Sequence, residues 1–111
     1  MNTPLPPTIW TVKPIEEQRA LTLTDWAIFG IKMSRSPVRR RHFAGYNVQD
    51  REGRASSAIV QFDTVTLRGV TKSGRVYQLS GSPGLEGDGQ HVWASWLRLA
   101  KATDVERVQL S

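Results

Sequence analysis

The chain is 111 residues long and 39% hydrophobic, with 15 Lys/Arg against 10 Asp/Glu for a formal net charge of +5. That size suits one domain around a single core. Having no cysteine, it has no disulfide framework or thiolate chemistry, and any zinc site would rest on histidine and carboxylate alone. No stretch approaches the roughly 20 apolar residues of a membrane span.

The opening MNTPLPPTIWTVKP (1–14) contains four prolines. Proline removes amide donors and pushes the preceding residue into extended geometry, so this segment reads as an arm, with Ile9, Trp10 and Val12 apolar enough to dock on a sheet. It has no apolar run of signal-peptide length, and the chain reads as soluble and cytoplasmic. PIEEQRAL, from Pro14 to Leu21, has proline at a first helical position and two acids behind it, which suits a short helical turn. The division expected is an extended arm over 1–14 and a single α+β domain over 15–111.

From Thr24 the pattern is β. Trp26, Ala27, Ile28, Phe29, Ile31 and Met33 form a dense apolar run, as in a strand covered on both faces. A polar, proline-containing connection follows. His42 to Asp50 then alternates, setting Ala44, Tyr46 and Val48 against Phe43, Gly45, Asn47 and Gln49. Asp50 to Gly53 is turn chemistry with a glycine available for positive φ. Ala55 to Asp63 alternates again and completes a hairpin. Leu67 to Thr71 pairs with Arg75 to Ser80 around Lys72-Ser73-Gly74.

GSPGLEGDG, Gly81 to Gly89, is a loop, and Asp88 is a credible N-cap for a helix from about Gly89 to Ala102. Val92, Trp93, Trp96, Leu97 and Leu99 recur at helical spacing. Asp104 to Leu110 returns as an edge strand, where pairing across a two-fold axis would give a homodimer. The order predicts an α+β fold: a curled antiparallel meander of about five strands, either an SH3-like small barrel or a flatter sheet, covered by one amphipathic helix.

Charge is gathered in the middle. Lys32 to Arg41 (KMSRSPVRRR) holds five basic side chains and no acid, and Lys32 to Arg75 as a whole carries a net +7, leaving −2 on the flanks. A sided field of this kind attracts a polyanion. Read as a hairpin loop, Lys32, Arg35, Arg39, Arg40 and Arg41 would project toward phosphates. His42, Phe43 and Tyr46 would stack on bases nearby, and Arg51 and Arg54 would extend the surface. The blander alternative is a solvated loop whose arginines keep the sheet edge soluble. Two partners fit the same charge: nucleic acid, DNA ahead of RNA, or an acidic protein surface.

Other constellations carry less. The glycine loop matches neither the dinucleotide fingerprint nor the P-loop pattern, and Glu86 and Asp88 would repel phosphate. His42 and His91 lack a second ligand at helical or strand spacing, so no metal or cofactor is predicted. No serine stands in an elbow motif, so no catalytic residue is assigned. In the helix, Trp96 is expected in the core, and Trp93 is left open as a protein interface.

The hairpin SGRVYQL and the helix HVWASWLRL, within Gly45 to Leu99, resemble small accessory proteins of bacterial plasmids and integrative conjugative elements. The resemblance transfers no site residue and implies a setting only. Such proteins regulate transcription, assist DNA maintenance or disarm host defence, as anti-CRISPR proteins do. The sequence therefore points to a non-enzymatic nucleic-acid-binding accessory protein, with a protein-binding inhibitor as the alternative.

Overall fold

The computed structural model describes residues 20–34 and 36–110. The arm over 1–14, the turn over 14–19 and Arg35 lie outside the described residues. Leu21, read as the end of that turn, instead opens the first strand.

Six strands and one helix follow in chain order: β1 (Leu21–Met33), β2 (Arg39–Asn47), β3 (Glu52–Asp63), β4 (Arg68–Thr71), β5 (Val76–Leu79), α1 (Asp88–Ala100) and β6 (Ala102–Arg107). Strands β1 to β5 form an antiparallel meander, and the curled alternative is the one found, because β5 closes back onto β1 at Leu21–Leu23. An odd number of up-and-down strands leaves the first and last running the same way, so the closing pair is parallel. β6 adds antiparallel to the other end of β1, at Phe29–Met33, and stands at the sheet edge. Its exposed Asp104, Glu106 and Arg107 are the side chains that discourage a free edge from recruiting another strand.

One residue lets β1 serve both partners. Leu21 and Leu23 point into the ring, but so do Trp26 and Ile28, and the phase change falls at Asp25. Asp25 has φ 47°, and the pairing with β2 shifts register between Thr24 and Ala27. This is a bulge: one extra residue turns the strand and re-aims every side chain beyond it.

Two apolar layers result. Inside the ring, Leu21, Leu23, Trp26, Ile28, Phe43, Tyr77 and Leu79 are buried together. Outside it, Ala27, Ile31, Ala44 and Leu85 are buried together with Trp93 of α1. The helix seats closely because glycines face it. A Cβ at Gly89 would lie 2.7 Å from the Gly45 carbonyl, and one at Gly53 would collide with the Asp88 carbonyl. Gly53 is therefore a packing glycine within β3. The positive φ expected of it in the turn belongs to Arg51, at 57°.

The helix differs from expectation at its start. Asp88 is its first residue, Gly87 takes the N-cap position, and no side chain caps from there. The carboxylate of Asp25 does the work from β1, accepting the amides of Leu85 at 2.6 Å, Glu86 at 2.8 Å and Gly87 at 3.0 Å. At the other end Lys101, at φ 55°, turns the chain directly into β6.

Candidate anion-binding surface

Arg39, Arg40 and Arg41 are not on a loop. They open β2 and lie opposite Lys32, Ile31 and Gly30 of β1. Strand alternation then assigns their directions: Arg39 and Arg41 share the face of Phe43, and Arg40 shares the face of His42.

Arg39 is already engaged. Its Nη2 meets Asp104 Oδ2 at 2.5 Å, its Nη1 donates to the Gly30 carbonyl at 3.2 Å, and Glu106 Oε1 lies 3.8 Å from Nη1. β6 thus folds two acids back onto the arginine cluster, and Lys32 also lies opposite Asp104. Arg40 and Arg41 are exposed, and among the described residues neither has an ion-pair partner. Lys72 joins them from the β4–β5 turn, whose amide donates to the Ala58 carbonyl at 2.7 Å.

These cations border a cavity of about 510 Å³ at the mouth of the ring. Its floor is apolar: Ile28, Ile59, Phe62, Val108 and Leu110. A second, shallower cleft of about 610 Å³ runs past Arg40 and Lys72 toward Ser57 and Trp96. Arg40 and Lys72 line both.

The expected stacking residues are elsewhere. Phe43 is fully buried in the ring, with Phe62 edge-on at 5.6 Å and Tyr77 at 5.4 Å. His42 is 3% exposed and packs 4.8 Å from the Trp96 ring. Its Nδ1 lies 2.9 Å from the Ser56 carbonyl, which can only accept, so Nδ1 carries the proton and donates. Burial holds its pKa below the ordinary value, with the Arg40 charge acting in the same direction and the Ser56 bond opposing them. Neither ring presents a face to a base. Tyr46 is half-buried and sits opposite Thr24 and Gly53, at the far end of β2.

Arg51 and Arg54 are also at that far end. Arg51 sits exposed in the β2–β3 turn, while Arg54 Nε donates to the Tyr77 hydroxyl at 3.1 Å and its guanidinium lies over the same ring. The expected single surface is therefore divided between two ends of the molecule. Trp93, left open as an interface, is buried at 4% exposure and stacked between Phe29 at 4.8 Å and Trp96 at 5.1 Å. Trp96, expected in the core, is the more exposed of the two.

The glycine loop also has an internal explanation. Three successive amides ahead of a helix form a nest that suits an anion. Asp25 occupies it, and those hydrogen bonds, Glu86 first, hold its carboxyl below the ordinary carboxylate range. Among the described residues no group of three or more His, Asp or Glu is placed to hold a metal ion. No helix among them is long and apolar enough to cross a membrane. Sequence reasoning missed Lys72 as a member of the site and Asp104 and Glu106 as its internal competitors. Pairing across β1 brings the two acids to Arg39, and pairing of β4 with β3 brings Lys72 beside β2; no local spacing encodes either.

No protein-family model matches this chain, and no curated protein or solved structure shows significant similarity to it. The geometry of the site is thus the basis for any functional reading.

Proposed function

We propose that this chain is a non-enzymatic accessory protein that contacts nucleic-acid phosphates through Arg40, Arg41 and Lys72. One observation carries the reading. Arg40 and Arg41 stand exposed with no acid in ion-pair range among the described residues, while the nearby Asp104 is drawn to Arg39. Unneutralised guanidiniums on adjacent residues, one toward each face of β2, are each available to a phosphate, since a planar fork can grip two oxygens. The mobile-element setting is part of the same proposal and rests only on the sequence resemblance of the hairpin and helix.

Anisotropy of labelled DNA and RNA at low salt tests this. Binding should be measurable and should weaken log-linearly with salt, by roughly 0.7 to 0.9 per phosphate neutralised. Failure to bind either nucleic acid at low salt would defeat the proposal and favour an acidic protein surface as the partner.

A further inference from the structure

We infer that the cavity at the mouth of the ring receives an unpaired base, so that the polyanion engaged is single-stranded nucleic acid. The inference rests on the phosphate-binding reading and adds to it. A surface that only follows a duplex backbone needs cations and polar groups, and it has no use for an apolar recess. Here the cations border a recess of about 510 Å³, within the roughly 300–1,000 Å³ of small-molecule sites and large enough for a nucleobase.

The recess has two kinds of wall, and they match the two halves of a nucleotide. Its floor is built by Ile28, Ile59, Val108, Leu110 and the ring of Phe62, a surface for the apolar face of a base. Arg41 lies on the same face of β2 as Phe43, whose ring contacts Phe62 edge-on. A phosphate held by Arg41 therefore sits on the side from which its own base enters. Gln61 and Thr64 line the recess as well and supply hydrogen-bonding groups for a base edge. In a duplex the bases are paired and stacked inward, so their faces cannot reach such a floor. In a single strand they can.

The test compares three labelled ligands at one salt concentration: an oligothymidine strand, an abasic strand of the same length and charge, and a duplex. The oligothymidine should bind about tenfold tighter than the abasic strand, the gain expected from placing one base on an apolar platform. Phe62→Ala should abolish that ratio and leave abasic binding unchanged. Because Phe62 also packs on the ring interior, Leu110→Ser serves as the second variant; Leu110 is 36% exposed and lies outside the buried core, and the ratio should fall with it. Equal affinity for all three ligands would overturn the base-binding inference and leave phosphate binding standing. Failure of all three to bind would overturn both. Capture of an anionic amphiphile such as dodecanoate in place of any strand would also overturn it.

Discussion

Arg39 of β2 and Asp104 of β6 are paired at 2.5 Å across β1, the strand that separates them. The bridge passes over Gly30. A Cβ there would lie 3.3 Å from Arg39 Cδ, so the bare backbone lets the Arg39 stem lie close against β1 as it crosses. The last strand thus masks one arginine of the cluster and leaves its neighbours unmasked.

Asp104→Asn should therefore release Arg39 to an external phosphate. The slope of log affinity against log salt should steepen by roughly 0.7 to 0.9, one added phosphate contact. Because the pair is substantially exposed, with side chains 33% and 49% accessible, stability should change by less than about 1 kcal/mol. Chemical denaturation alongside the salt titration checks both parts.

Asp25 holds the loop ahead of α1 through three amides. Its carboxyl is depressed below 3.8, first by the Glu86 amide and further by those of Leu85 and Gly87 and by the Arg107 charge. The stability it contributes is complete above that value and is lost as pH falls through the depressed one. Asp25→Asn, which tolerates φ 47°, should cost about 1–3 kcal/mol at neutral pH and remove this part of the acid sensitivity. Asp25→Ala should cost more, since it adds backbone strain. Urea unfolding at neutral and acid pH measures both.

His42 contributes with the same sign in a higher pH window, with burial favouring its neutral form. Its folded pKa is lowered from 6.5, chiefly by burial, so the unfolded chain takes up the proton first as pH falls. Stability should be flat above about 6.5 and decline as pH drops through the depressed folded value. His42→Asn keeps an N–H donor for the Ser56 carbonyl and should flatten this part of the profile. Unfolding free energies across pH of about 5 to 8 decide it.

Gly53→Ala would drive a Cβ against the Asp88 carbonyl and to 2.8 Å from Val92 Cγ2. The helix must move off the sheet, at a cost of about 1–3 kcal/mol. Gly87→Ala is the matched control, since its Cβ would meet only Asp25 Oδ2 at an ordinary 3.7 Å. Denaturation midpoints and the tryptophan emission maximum should shift for the first variant only.

Much of the architecture is legible because it is local. Alternation marks β2 and β3, and Lys72-Ser73-Gly74 announces the β4–β5 turn, where Gly74 does take φ 89°. The start of β1 is obscured because the bulge at Asp25 reverses the alternation midway. The arginines read as loop because proline and charge argue against strand, yet pairing with Gly30 to Lys32 outweighs local preference. Extending the alternation back through His42 would have placed Arg41 with Phe43 and Arg40 with His42. The order of burial in the helix is decided by Phe29, which stacks on Trp93 from another element, and spacing within the helix cannot encode that. The site was legible as charge alone; which arginine is masked depends on β6, whose partner strand lies 69 or more positions away at every paired residue.

The central claim is that Arg40 and Arg41 are free cations that phosphates engage. Its most direct test is the salt dependence of single-strand binding by the wild type and by the double variant Arg40→Gln, Arg41→Gln. The slope of log affinity against log salt should fall by roughly 1.4, two phosphate contacts at about 0.7 each on a single strand. An unchanged slope would contradict the account.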